Sequence, residues 1–135
     1  MPDGKRVILI AEDHPDSREA LRVLLEASGY EVAIAEDGQE AVRKALEVRP
    51  DLIIMDIMMP NVDGFEATRQ IRSQEYLRDT PILALTAMEG AQNRVIEAGC
   101  NACVTKPIDV RGFLLMVNRW LGQRGMNGAS CASCA

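Results

Sequence analysis

The chain has 135 residues, of which 47% are hydrophobic and 26% charged, and its formal net charge is −5. This length and apolar content suit one domain with a sizeable core and argue against two independent cores. The 15 Lys and Arg residues are scattered, which argues against a nucleic-acid surface. The sequence has neither an apolar run of roughly 18–20 residues nor a signal-peptide pattern, so we expect a cytoplasmic protein with no membrane contact.

Apolar runs alternate five times with segments of helical periodicity. In chain order, the sequence predicts a strand over 7–11, a helix that opens at Pro15 and stops at Gly29, a strand over 30–35 and a helix over 40–48. A strand over 52–55, a helix over about 63–73, a strand over 81–85 and a helix over 89–98 follow; a strand over 102–105 then precedes a last helix over 109–121. Proline suits the first turn of a helix, and glycine suits the position after its end.

This alternation predicts right-handed βαβ crossovers and a parallel sheet with helices on both faces. The central strands of such a sheet are buried on both faces, whereas edge strands tolerate polar residues. The second strand carries Glu31, and the fifth ends in Thr105-Lys106, so these two are predicted at the edges. The sequence therefore predicts an α/β fold: a doubly wound five-stranded parallel sheet in the order 2-1-3-4-5, with five helices on two faces.

The predicted domain covers residues 1–121. Residues 122–135 are rich in Gly, Ala and Ser and lack apolar periodicity, so we expect a disordered tail. Two C-x-x-C pairs, Cys100–Cys103 and Cys131–Cys134, lie farther apart than the roughly 15–20 residues common in zinc sites. Zinc binding is therefore disfavoured, and Cys103 is expected to pack within its strand.

Ligands of an open parallel sheet gather at the carboxyl ends of its strands, near the switch in strand order. The first strand is followed by Glu12-Asp13 and the third by Asp56, so three carboxylates are expected to converge. Like charges at short range raise one another's pKa unless a cation is present. A compact carboxylate group with room for water suits Mg²⁺, which prefers oxygen ligands.

Two further polar residues end neighbouring strands. Thr86 follows the fourth strand and Lys106 follows the fifth. A phosphoryl group on a carboxylate oxygen needs Mg²⁺, an ammonium and a hydroxyl donor around its negative charge. Each residue alone is most simply a polar cap at a strand end, but that explanation fails for five such residues in this order on successive strands.

Four blocks of the chain resemble those of bacterial response-regulator receiver domains: Glu12-Asp13, the stretch DIMMPNVDG over 56–64, Thr86-Ala87 and Lys106-Pro107. The resemblance covers nearly all of the predicted domain. It implies a phosphoacceptor of a two-component or phosphorelay system, in which Asp56 receives a phosphoryl group from a histidine kinase or a histidine phosphotransfer protein. It also implies that Asp13, the Asp56 carboxylate and the backbone carbonyl of Met58 bind Mg²⁺, with Glu12 acting through water.

The resemblance assigns the switch to the same end of the sheet. Lys106 would pair with the phosphoryl oxygens, and Thr86, followed by Ala87, would supply a hydroxyl that moves towards them. The Lys106–Pro107 peptide bond would be cis, which X–Pro bonds tolerate at small cost. Phosphorylation would then change the face formed by helix 4, strand 5 and helix 5. Cys103 stands where many members carry Tyr or Phe, and cysteine has no ring that could swing inward as the aromatic relay of the family requires.

Two other features bear on the site. Met58 and Met88 flank the expected path of a hydrolytic water and cannot orient it, which predicts a long-lived phosphorylated form. His14 follows the acidic pair, where we expect a solvent-facing residue at the start of a helix rather than a ligand. Gly64 is expected to supply a turn or a close approach that opens the third helix.

Three other classes share part of this pattern. Aspartyl-phosphate phosphatases of the haloacid dehalogenase type need a second acid two residues after the nucleophile, where this chain has Met58. Flavodoxins need a Ser/Thr/Gly-rich phosphate loop, whereas the segment after the first strand is acidic. A pseudo-receiver keeps the fold without accepting phosphate, which the acidic set and Lys106 disfavour. We expect a signalling phosphoacceptor that catalyses only its own phosphorylation and slow dephosphorylation, and not an enzyme.

The sequence leaves the wider context open. A stand-alone regulator is slightly preferred to the receiver domain of a hybrid histidine kinase. The cognate kinase and the downstream protein target are not identified by any residue of the chain, and a homodimer that forms on phosphorylation is left open.

Overall fold

The computed structural model describes residues 6–57, 64–87 and 92–124. Its strands are β1 (Val7–Ala11), β2 (Glu31–Ala35), β3 (Leu52–Asp56), β4 (Ile82–Thr86) and β5 (Ala102–Thr105). Its α-helices are α1 (Pro15–Ala27), α2 (Gly38–Val48), α3 (Gly64–Arg72), α4 (Gln92–Ala98) and α5 (Val110–Arg124), and a short 3₁₀ helix spans Glu75–Leu77. The strands form one parallel sheet in the order β2-β1-β3-β4-β5. The predicted fold and strand order are confirmed.

Burial of the strands follows their place in the sheet. Every residue of β3 and β4 is buried, whereas β2 exposes Glu31 and β5 exposes Thr105. Burial on both faces requires apolar residues at consecutive positions, because successive side chains point to opposite faces. The polar residues of the second and fifth strands therefore mark the edges, as the sequence predicts.

The helices cover the sheet in two layers, each with its own core. One core contains Ile53 and Met55 of β3 with residues of α2, α3 and α4. The other contains Leu52 and Ile54 of the same strand with residues of α1 and α5. This alternation along β3 places the strand at the centre of both cores, so the residue that ends it, Asp56, is held by packing from both sides.

Several element boundaries differ from the prediction. The helix α2 begins at Gly38 instead of residue 40, because the Asp37 side chain caps it by accepting a hydrogen bond from Glu40 N at 2.8 Å. The strand β3 extends to Asp56, which pairs in register with Leu85. The 3₁₀ helix was not predicted.

The last helix also runs further than the prediction. It continues to Arg124, so the assignment of residues 122–124 to a disordered tail is wrong. The apolar pattern ends at Leu121, the last α5 residue in the described core, whereas the helical backbone continues past that residue. Residues 125–135 lie outside the described ranges. Within those ranges, no helix, including α5 with its 15 residues, is long and apolar enough to cross a membrane.

Arg72, the last residue of α3, ties two connections together at the amino end of β4 and β5. Its guanidinium donates hydrogen bonds to the carbonyls of Leu77, Arg78 and Thr80, at 2.8, 3.1 and 2.7 Å. It also donates to Gly99 O at 2.9 Å and to Asn101 Oδ1 at 2.6 Å. One side chain thereby satisfies five acceptors from two segments of the chain.

We expect Arg72→Met to lower the free energy of unfolding by about 2–4 kcal/mol, because several partly buried acceptors lose their donor together. Arg69→Met is the matched control. Arg69 lies one turn earlier on α3, in an exposed pair with Glu66 at 3.4 Å, so its loss is expected to cost less than about 0.5 kcal/mol. Urea denaturation measures both, and equal effects would contradict a specific role for Arg72.

Candidate functional site

Three polar residues are buried at the carboxyl end of the central strands. Glu12, Asp56 and Thr86 expose 0%, 3% and 2% of their surface. Ala11 pairs in register with Met55, so the residues that follow them, Glu12 and Asp56, lie side by side. The parallel sheet order therefore brings together side chains that are 44 residues apart in the chain.

Lys106 joins this group from the loop after β5. Its Nζ lies 3.3 Å from Asp56 Oδ2 and 3.4 Å from Glu12 Oε1, so one ammonium is shared by two carboxylates. Its backbone N–H donates to Thr86 O at 2.9 Å, which ties the lysine to the end of β4. The Lys106–Pro107 peptide bond is cis.

The electrostatics of the group favour an added cation. Burial raises the pKa of Glu12, and a hydrogen bond with Asp56 and the charge of Asp56 raise it further. The hydrogen bond from His14 N–H and the charge of Lys106 lower this pKa, but the net shift is upward. Partial burial by itself would lower the pKa of Lys106, but the charges of Asp56 and Glu12 outweigh it and the pKa is raised. One ammonium thus leaves the carboxylates undercompensated, and this is the physical reason to expect a divalent cation.

Asp13 extends the acidic group towards solvent. Ligand atoms of Glu12, Asp13 and His14 all lie within 4.8 Å of one another, with Asp13 half-buried and His14 exposed. The backbone N–H of His14 donates to Glu12 Oε2 at 3.1 Å. The exposure of His14 agrees with the sequence interpretation, although its ring lies closer to the carboxylates than sequence reasoning indicated.

These residues fit Mg²⁺ by their chemistry. The buried and half-buried donors are carboxylate oxygens, which are the ligands that a hard divalent cation prefers. Their excess negative charge is the charge that such a cation would neutralise. The predicted carbonyl ligand, Met58, lies outside the described residues, so the structure places only the carboxylate part of the expected ligand set.

Gly64 allows the third helix to begin directly against the backbone of Asp56 and Ile57. A Cβ on Gly64 would lie 2.5 Å from Asp56 O and 2.6 Å from Ile57 Cα, which are impossible contacts. The Gly64 N–H donates to Ile57 O at 3.0 Å. Sequence reasoning expected a turn or a close approach here, and the structure has the close approach.

The remaining predicted positions are divided between described and undescribed residues. Ala87 is exposed at the end of β4, and Cys103 is half-buried on β5, packed against the core beneath α2–α4. Cys100 is a free, buried thiol, and burial raises its pKa to about 11. Met88, the loop residues up to Gly90, Cys131 and Cys134 lie outside the described residues.

Sequence reasoning missed Arg18. This α1 residue donates to the main-chain carbonyls of the acidic pair, Glu12 O at 3.0 Å and Asp13 O at 3.4 Å. Its position five residues after Asp13 could have indicated this role, because a residue one turn into the helix can reach back to the loop that precedes the helix. Nothing in its residue type identified the partners.

Comparisons with known proteins agree with this geometry. The family model of the response regulator receiver domain matches residues 8–118. The polar-differentiation response regulator DivK of Brucella anthropi is 41% identical over 117 residues, 85% of this chain and 95% of the relative. The receiver domain of a sensor histidine kinase from Pseudomonas aeruginosa, solved with a magnesium ion coordinated in the active site cleft, has a TM-score of 0.82 at 38% identity, over 88% of this chain and 99% of that one.

A third similar protein was solved with a partner. The receiver domain of a response regulator from Saccharomyces cerevisiae, in a co-crystal with a histidine phosphotransfer signalling protein, has a TM-score of 0.82 at 29% identity. The match covers 89% of this chain and 91% of that one.

The environment of Glu12 disfavours its charge, so we expect Glu12→Gln to raise the free energy of unfolding of the metal-free protein by about 1 kcal/mol at pH 7. Glutamine keeps the size of the side chain, accepts from His14 N and can donate to Asp56. Thermal unfolding in the presence of a chelator measures the effect. Glu31→Gln, at an exposed position of β2, is the control and should change stability by less than about 0.5 kcal/mol. A destabilised Glu12→Gln protein would show that the charge pair with Lys106 outweighs the repulsion.

Proposed function

This chain belongs to the response regulator receiver domain family of two-component systems, and we propose that it works as a phosphoacceptor switch in which Asp56 takes the phosphoryl group. The observation that carries the proposal is the position of Asp56, buried at the end of β3 with Lys106 Nζ 3.3 Å from its carboxylate. No output activity of its own is proposed; the chain would catalyse only its own phosphorylation and slow dephosphorylation.

In the proposed reaction an Asp56 oxygen attacks the phosphorus of a phosphohistidine. The new O–P bond forms as the P–N bond breaks, and the donor histidine leaves with the electron pair and takes up a proton. Lys106 stays within reach of the transferred group and offsets the negative charge of that group. This new contact replaces part of the contact that Lys106 now makes with Glu12. Thr86, buried at the end of β4, supplies the hydroxyl that moves towards the phosphoryl oxygens.

Asp13 and Asp56, with the Met58 carbonyl, are the residues that would hold Mg²⁺, and Glu12 would act through water. When bound, the ion supplies positive charge to a site whose carboxylates exceed its ammonium, and it lowers the repulsion between Asp56 and an approaching phosphoryl group. Support comes from the carboxylate chemistry of the site and from the magnesium ion in the Pseudomonas aeruginosa relative.

The output of the switch is proposed to be a change of the face formed by α4, β5 and α5. A phosphoryl group can shift that face only by interacting differently with its two states. Cys103, half-buried on β5, has no ring to bury in one state, so the change should be smaller than in receivers with an aromatic residue at this position. A stand-alone regulator is preferred because the chain is 41% identical over 117 residues to DivK, a response regulator.

The donor is proposed to dock on a groove beside the phosphoacceptor. An open groove of about 380 Å³ has Lys106 and Glu12 among its lining residues. Its remaining walls come from α1, β4, the β5–α5 connection and the start of α5, and they are largely apolar: Ser17, Ala20, Leu21, Leu24, Leu85, Pro107, Ile108 and Val110. An apolar groove that opens onto the acceptor suits a helix that presents a histidine. The yeast complex with a histidine phosphotransfer protein supports this class of donor.

Asp56→Asn tests the acceptor. An amide oxygen is a poor nucleophile, so Mg²⁺-dependent labelling by acetyl phosphate is expected to disappear while the fold is kept. Intact-mass measurement detects the added phosphoryl group. The control is Asp51→Asn, which makes the same substitution next to the opposite end of β3, where Asp51 accepts a hydrogen bond from Val7 N at 2.8 Å. Undiminished labelling of Asp56→Asn would refute the assignment.

Two valines of equal exposure test the groove. Val110 lines the groove and is 51% exposed, whereas Val23, on α1, is 52% exposed and is not among the lining residues. We expect Val110→Glu to slow phosphotransfer from a phosphorylated histidine phosphotransfer protein about tenfold, roughly 1.4 kcal/mol. Labelling by acetyl phosphate should be unchanged, since a small donor does not need the groove. Val23→Glu should leave both donors unaffected; equal slowing by the two variants would place the docking surface elsewhere.

A further inference from the structure

Arg18, on α1, contacts the main chain of the acidic loop that follows β1. Its side chain is 16% exposed, and Nη1 donates to Glu12 O at 3.0 Å and to Asp13 O at 3.4 Å. Nη2 lies 3.7 Å from Glu36 Oε2. The guanidinium therefore bridges the loop after β1 to the loop after β2.

Two positively charged side chains thus contact different groups of Glu12. Lys106 contacts the Glu12 carboxylate, whereas Arg18 contacts the main-chain carbonyl of Glu12. The main chain of Glu12 is also fixed by its N–H, which donates to Ala35 O at 3.1 Å. With both peptide groups of Glu12 and the carbonyl of Asp13 held, the backbone from which the two carboxylates project has little freedom to rotate.

We propose that Arg18 is a positioning residue for the metal site: by holding the Glu12 and Asp13 carbonyls, it fixes the direction of the carboxylates before a cation binds. The inference rests on the proposed function, because it assumes that these carboxylates bind Mg²⁺. Preorganised ligands bind more tightly, since the entropy of ordering them is lost in folding and not in binding. Contacts that orient metal ligands without touching the metal typically change metal affinity by about 10–100-fold.

Three roles for Arg18 predict different signs in one experiment. If Arg18 acted only through its charge, removing it would strengthen Mg²⁺ binding, because a positive charge near the site repels the ion. If it only stabilised the fold, its removal would lower the unfolding temperature and leave the Mg²⁺ dissociation constant unchanged. A positioning role predicts weaker Mg²⁺ binding on removal of the charge, against the electrostatic trend.

The experiment is titration calorimetry of the full chain with MgCl₂, accompanied by thermal unfolding of each variant. We expect Arg18→Gln to raise the Mg²⁺ dissociation constant about tenfold. Arg18→Lys keeps the charge but offers one compact donor group in place of the planar fork, so it should recover part of the affinity. Arg22→Gln removes the same charge from the same helix, where Arg22 pairs with Glu19 and Glu26 on the exposed face, and it should not weaken binding.

Asp13→Ala separates the inference from the function on which it rests. Loss of binding in Asp13→Ala together with unchanged or tighter binding in Arg18→Gln would overturn the positioning role and leave the proposed function standing. Absence of saturable Mg²⁺ binding by the unaltered chain would overturn both. Equal weakening by Arg18→Gln and Arg22→Gln would also overturn the inference, since of these two arginines Arg18 is the one that contacts the loop carbonyls.

Discussion

The sharing of one lysine ammonium by two buried carboxylates is the interaction on which the site depends. Glu12 and Asp56 are buried at the carboxyl end of the sheet, where a charge loses much of its hydration. Lys106 compensates them only in part, and burial, together with the neighbouring Asp56, raises the pKa of Glu12. The site is therefore less favourable by itself than with a bound cation, and this is a reason for it to bind one.

Sheet topology makes that arrangement unavoidable. Because β1 lies beside β3 and β3 beside β4, the residues after these strands meet at one edge, and both helical layers hold β3 from either face. Arg72 secures the opposite end of the sheet by joining two connections. The free energy lost by burying charges at the carboxyl end of the sheet is thus offset by packing and hydrogen bonds in the rest of the domain.

Two arginines of the chain illustrate how similar side chains take different roles. Arg72 satisfies acceptors from two connections far from the site, whereas Arg18 satisfies acceptors in the acidic loop itself. Both use a planar group with several donors, which a lysine does not offer. Cys103, half-buried on β5, distinguishes this chain from receivers with an aromatic residue at the same position. It leaves no aromatic ring at that position of the face through which the phosphorylation signal is proposed to pass.

The sequence by itself determined the order of the strands and the residues that end them. Glu31 and Thr105 marked the edge strands, and Glu12, Asp56 and Lys106 followed apolar runs, because both signals are local and depend only on burial of the strand. Tertiary structure alone decided the length of α5, the contacts of Arg18 and Arg72 and the raised pKa of Glu12. The contacts of Arg72 with Gly99 and Asn101 and the pairing of Glu12 with Asp56 depend on distances between segments far apart in the chain, which neither residue type nor periodicity encodes. Arg18 lies within six residues of its partners, but which carbonyls it meets depends on the path of the loop after β1.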